Sequence, residues 1–301
     1  MAEKKRRFDV MSHDSTQQYE SEQRKKQNTA QNAIVLPDGI GFFKLPKETA
    51  FVKIDILPFV TTINGREQPL PRLSYAVHKC NLDEGFRQFI CPREYDGEDC
   101  PICSAWQSYR RTMDWNDPDC LANERKLKPQ MRQLYAVRWL DAPEEEQDKI
   151  LIFDTSAFGF GKLLDSKISG RDTSDPDEAK WDQYADLLEG YNLKLTLTEG
   201  TFNGNSYVQV SAIDLKPRKV QYDESWYDKV PDLTTLIKRA SLSELEHAAF
   251  VLDPRNAGKS KPSARPVERG DQSADESGGD ASFDPNVIER NDNPDDGTIP
   301  W

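Results

Sequence analysis

In seven short runs of the chain, apolar and polar residues alternate, or β-branched and aromatic residues crowd together, as they do in strands. The runs are FVKIDILPFV (51–60), LSYAVHKC (73–80), FRQFIC (86–91), QLYAVRWL (133–140), KILIFDT (149–155), YNLKLTLTEG (191–200) and SYVQVSAIDL (206–215). The last two flank TFNGN, which predicts a hairpin turning at Asn203, Gly204 and Asn205. Helices are predicted over 156–168, 178–189 and 232–251. Strands joined by short turns, with helices inserted between them and not alternating regularly, predict a mainly β fold closer to a small barrel than to a doubly wound sheet.

This pattern holds only over 32–254, the predicted core. Residues 1–31 are polar and carry the cluster Lys4, Lys5, Arg6 and Arg7, which predicts a flexible basic arm. Residues 255–267 hold four basic residues and no acidic one, a proline-punctuated linker. Residues 268–301 hold ten acidic residues against two basic, with many Gly and Ser and few apolar residues, too few to offset the entropy of ordering them. A disordered acidic tail is expected there. The whole chain of 301 residues carries a net charge of −12, and the core itself is acidic. Neither a run of ~20 apolar residues nor a secretory leader after MAEKKRRFDV is visible, so a cytoplasmic protein is expected.

In a reducing compartment a tight cysteine cluster points to metal or redox chemistry, not to disulfides. The stretch CPREYDGEDCPIC (91–103) holds three of the five cysteines. The Pro-Ile between Cys100 and Cys103 lets both thiolates of one tight turn face a single ion, with Cys91 as a third donor. A tetrahedral site needs a fourth ligand. His78 and Cys80 lie two apart on the preceding predicted strand and so on one face of it, and either would serve. The competing reading is a structural or redox-active thiol pair. Cys120 has no partner in the sequence.

The order of His78, twelve residues, Cys91, an eight-residue turn, Cys100-Pro-Ile-Cys103 and a helix resembles the zinc subdomain of the T-even phage single-stranded DNA-binding proteins. A basic stretch and aromatic strand, ERKLKPQMRQLYAVRWLDAPEEE, and the segment FGKLLDSKI extend the resemblance over about 75–170. The Cys91–Cys100 interval is one residue shorter than the family's. The resemblance implies an oligonucleotide-binding (OB) barrel with a zinc subdomain inserted at about 75–115, one structural zinc on His78, Cys91, Cys100 and Cys103, and Cys80 as a bystander. It also implies binding of single-stranded DNA in phage replication, recombination and repair, within the host bacterial cytoplasm. Self-association along the strand through the basic arm would follow.

Single-strand binders combine cations for phosphates with aromatic faces for bases. The residues offering both are Arg110, Arg111, Lys126, Lys128, Arg132, Tyr135, Arg138 and Trp139. In the strand, Tyr135 and Trp139 share a face and Arg138 points to the other, so not all of them can line one groove. The same aromatics could equally be core and the arginines a solvated surface. Because the core is acidic, binding must come from a local groove. At the C-terminus, Asp295 and Asp296 precede Ile299, Pro300 and Trp301, which resembles the tip of bacterial single-stranded DNA-binding proteins and implies recruitment of replication and repair proteins. No base–nucleophile pair or open metal site is visible, so no enzyme is expected. The rival functions are a zinc-stabilised protein adaptor without DNA binding and, less favoured, a nuclease.

Overall fold

The structure, a computed structural model, describes residues 33–83, 85–202 and 205–259. The basic arm and the acidic tail, including Asp295, Asp296, Ile299, Pro300 and Trp301, lie outside these residues, as do Asn203 and Gly204 of the expected hairpin turn.

The described chain is mainly sheet with helices inserted. Its strands are β1 (Gly41–Phe42), β2 (Phe51–Leu57), β3 (Phe59–Ile63), β4 (Arg66–Leu70), β5 (Leu73–Leu82), β6 (Gly85–Ile90), β7 (Gln130–Trp139), β8 (Ile150–Ser156), β9 (Tyr191–Phe202) and β10 (Asn205–Pro217). The helices are α1 (Pro92–Tyr95), α2 (Pro101–Arg110), α3 (Pro118–Leu127), α4 (Lys162–Ser169), α5 (Trp226–Lys229) and α6 (Leu242–Leu252). No helix among the described residues is long and apolar enough to cross a membrane.

Every predicted run is strand, with 51–60 divided at Pro58 between β2 and β3 of a separate two-stranded sheet, but the main sheet is open and mixed, which corrects the expectation of a closed barrel. Hydrogen bonding runs β1-β8-β7-β2-β9-β10, with β5 and β6 branching from β7. At one end β1 is only two residues long and runs parallel to β8. At the other, β10 pairs with β9 alone among the described strands. The branch arises because β7 changes partner along its length: residues 130–134 pair with β5 and residues 136–139 pair with β2.

Both faces of β7 are covered. Tyr135 and Val137 join a core with Ile54, Ile56, Phe153, Leu193 and Leu195, while Leu134 and Ala136 join a second one with Phe59, Tyr75, Ile152 and Leu233. A third cluster holds the cysteines and packs α2, α3 and α6 against β5. Helix α6, opened by a capping box of Ser241 and Glu244, therefore belongs to the cysteine subdomain although it lies more than a hundred residues beyond it.

Two helix predictions change form. Over 178–189 the backbone makes turns and one 3₁₀ segment, Trp181–Gln183, because the Asp186 carboxylate accepts the N–H groups of Leu188 and Glu189 and competes with helix. Over 232–251 the chain breaks at Ile237, which pairs with Ile34, and Ser241 begins a separate helix. The third prediction, 156–168, holds as a π-helical segment, Ala157–Gly161, leading into α4.

Candidate metal centre and nucleic-acid interface

The four residues of the predicted ligand set converge. One donor atom from each of His78, Cys91, Cys100 and Cys103 lies within 4.8 Å of the others, and all four residues are buried. His78 comes from β5, Cys91 from the end of β6, and the other two from the start of α2. Cys91 donates its backbone N–H to Ala76 O at 2.9 Å, which pins the loop to β5. Cys91 and Cys100 each occupy the N-cap position of a helix with proline next. Proline at N1 fits because that N–H has no partner within a helix.

The geometry suits a tetrahedral ion. Cys91 Sγ and Cys103 Sγ are 3.4 Å apart, and His78 Nε2 lies 3.4 Å from Cys100 Sγ and 3.6 Å from Cys103 Sγ. Around a zinc ion with ordinary bond lengths, S···S and S···N separations would be roughly 3.6–3.8 Å, so these three pairs stand near coordination spacing and the widest pair of the set, at up to 4.8 Å, has about an ångström to close. His78 Nδ1 donates to Leu127 O at 3.0 Å, which leaves the Nε2 lone pair facing the sulfurs. The Cys100 thiol is held well below its ordinary value, first by hydrogen bonds from the Cys103 and Cys91 thiols and also by the backbone N–H groups of Cys103 and Ile102. Cys103 moves up correspondingly as it gives its hydrogen bond to Cys100. The cluster can hold one metal ion and its donors are compatible with zinc.

Cys80 stands apart from this set. It is buried beside it, and burial, helped by Cys100, pushes its thiol up to about 12. It packs as a small protonated hydrophobe. Cys120 is half-buried, its Sγ donating to Asp117 Oδ2 at 3.3 Å.

The predicted DNA-binding residues are dispersed. Arg110, at the end of α2, lies between the rings of Trp106 and Trp115, 5.1 Å from each centroid, and Trp115 is 52% exposed. Glu124 ties this group together by accepting from Trp106 Nε1 at 2.7 Å. Arg111, Lys126 and Lys128 are exposed on the same subdomain. Tyr135 is fully buried, its hydroxyl donating to Gln133 Oε1 at 2.7 Å, so neither face of its ring is open to a base. Trp139 packs edge-on against Phe43 and donates to Asp141 Oδ1. Arg138 is held by Asp148 and by the rings of Tyr222 and Trp226. These three residues are architectural.

Arg132 behaves differently. It lines a concavity of about 470 Å³ at the edge of β8 together with Lys44, Lys47, Phe153 and Tyr207. Its guanidinium donates to Asp154 Oδ1 at 2.8 Å, so Asp154 offsets part of its charge. Nearby Lys79 is pulled below its ordinary value by burial first and then by Arg132, with Asp154 opposing. A second concavity, of about 430 Å³, is lined by Gln133, Phe158, Lys162 and Asp165. Consecutive residues at the end of β8 line them in turn: Thr155 and Ser156 the first, Ala157 and Phe158 the second. Lys44, Lys47, Tyr207 and Phe158 escape a reading by sequence proximity because the fold assembles them from β1, β10 and the turn after β8. The one local signal is FGFG itself, whose alternate phenylalanines end on opposite sides: Phe160 is buried and Phe158 is 76% exposed. No family model matches the chain, and no curated protein matches its sequence.

Proposed function

We propose that the protein binds single-stranded DNA with little sequence preference, in phage replication, recombination and repair, and that its cysteine subdomain is held by one structural zinc. The observation that carries the DNA reading is the concavity at the β8 edge. In a chain of net charge −12 it gathers three cations, Lys44, Lys47 and Arg132, beside the exposed ring of Tyr207, over a floor that includes the buried Phe43 and Phe153. That is the pairing of phosphate and base contacts that single strands require. The OB reading goes with it as an open variant, in which β7, shared among β8, β5 and β2, is the central strand. His78, Cys91, Cys100 and Cys103 would hold the zinc, whose chemistry here is cohesion: it ties β5, β6 and α2 together with no position left open for substrate. The N-terminal arm would support contacts between neighbouring molecules, and the tip from Asp295 to Trp301 would recruit replication and repair proteins.

Titration of intrinsic tryptophan fluorescence with oligo-dT and with a duplex of equal length tests the reading. Single strands are expected to bind at least tenfold more tightly than duplex, and equal affinity would overturn it. If about three phosphates are neutralised, log K should fall with log salt at a slope of about −2. The Lys44→Ala/Lys47→Ala variant should reduce that slope to about −0.7, whereas Arg138→Ala should leave it unchanged.

A further inference from the structure

We propose that the concavity beside Phe158 is a base pocket that favours, within single-stranded DNA, a base presenting an exocyclic carbonyl next to a ring N–H, namely thymine or guanine. This rests on the single-strand reading and adds to it a site and a preference. The argument begins with Gln133, which lines the concavity from β7 and is 6% exposed. Its Oε1 accepts from the Tyr135 hydroxyl at 2.7 Å. The Arg72 guanidinium also lies against that hydroxyl and ion-pairs with Asp165 at 2.7 Å. The Gln133 amide therefore turns Oε1 to Tyr135, and its Nε2 hydrogens meet no acceptor among the described residues.

Gly161 explains how the amide comes to lie there. A Cβ at that position would fall onto Gln133 Oε1, so only glycine leaves the space. It ends the π-helical segment, a form that recurs at functional sites. That same segment carries Phe158 outward, and the next residue, Lys162, lines the concavity. An aromatic face for stacking, a lysine for a phosphate and a buried donor therefore surround one space large enough for a base.

The depth of the groups decides the preference. Gln133 lies deep, while Asp165 is half exposed, with Oδ1 committed to Arg72. A base entering edge-first brings its exocyclic atom deepest. Thymine O4 or guanine O6 accepts from Nε2, and the adjacent ring N–H points back toward the Asp165 carboxylate. Adenine and cytosine would set an amino group against the amide NH₂, donor against donor, and a ring nitrogen against the carboxylate.

The test uses the full chain and fluorescence anisotropy of oligonucleotides carrying one thymine, guanine, adenine or cytosine in an otherwise abasic tract. Thymine and guanine should bind about tenfold more tightly than adenine and cytosine; thymine alone doing so would also support the pocket, as one of pyrimidine size. Gln133→Glu, which replaces the donor by an acceptor of the same shape, should reverse the order. Phe158→Ala, at an exposed position that leaves folding intact, should weaken all four while sparing the abasic tract. Equal binding of the four bases by a protein that still prefers single strands to duplex would overturn the pocket alone, as would an unchanged order in Gln133→Glu. Failure of every oligonucleotide, oligo-dT included, would overturn the single-strand reading itself.

Discussion

Replacing Cys103 by serine is expected to release the metal and unfold the subdomain built from β5, β6, α2, α3 and α6. The third core cluster contains the site itself: Cys91, Cys100 and Cys103 pack with Ile102, Tyr109, Leu127, Leu245 and Ala248. In small zinc sites binding supplies about 10–16 kcal/mol of apparent free energy at neutral pH, as much as the whole stability of an ordinary domain. Losing one of four ligands therefore removes most of what organises this cluster. The loss should spread to α6, which has no other apolar cluster to pack on. A metallochromic dye should report one zinc released per wild-type chain on thiol modification and none from Cys103→Ser, whose first melting transition should fall by tens of degrees. His78→Ala should behave alike. Cys80→Ala should keep its zinc, because that thiol is buried, protonated and outside the donor set. Loss of zinc from Cys80→Ala with retention in His78→Ala would reverse the ligand assignment.

The metal site was legible because its donors are local. Cys91, Cys100 and Cys103 stand within thirteen residues and could be read from spacing, whereas the fourth donor stayed open between His78 and Cys80, and the fold places His78 in the set. Strand existence was equally visible in the alternation of runs such as YNLKLTLTEG. What alternation could not reveal is which face of β7 is open, and over 134–137 neither is: Tyr135 enters one core and Leu134 another. An aromatic-basic strand buried on both sides looks in sequence like one presenting its aromatics to a ligand. Barrel closure was illegible for a related reason, since it depends on the lengths of edge strands, and β1 stops after two residues. Two local signals were present and overlooked. Asn64 and Gly65 take positive φ of 52° and 74° between β3 and β4, as Asn-Gly does in a tight hairpin. Asp117 followed by Pro118 caps α3, its side chain accepting from Asp119 N.

Beneath the architectural role of Arg138 lies a buried charge whose removal should have the second largest effect. Asp55, on β2, is 2% exposed and accepts from Asn192 Nδ2 and from the Tyr222 hydroxyl, both at 2.5 Å. Arg218 lies against it, Nε to Oδ1 at 3.4 Å, and spends its other nitrogens on the carbonyls of Ile56, Tyr184 and Asp186. Burial pulls the Arg218 guanidinium below its ordinary value, and Asp55 opposes that shift. The carboxylate thus compensates a cation that the sheet has almost wholly removed from water, and it links β2, β9 and the segment after β10. Asp55→Ala would leave Arg218 charged, buried and without its counter-ion, a change that costs about 3–5 kcal/mol. Replacing both partners by apolar residues of similar volume is far milder, because desolvation of the pair largely cancels its attraction. Urea unfolding followed by tryptophan fluorescence should therefore show a large fall in midpoint at unchanged slope for Asp55→Ala. Asp55→Leu/Arg218→Met should recover most of the loss. A midpoint for Asp55→Ala within error of the wild type would mean that water reaches Arg218, and the buried pair would then not be what joins these strands.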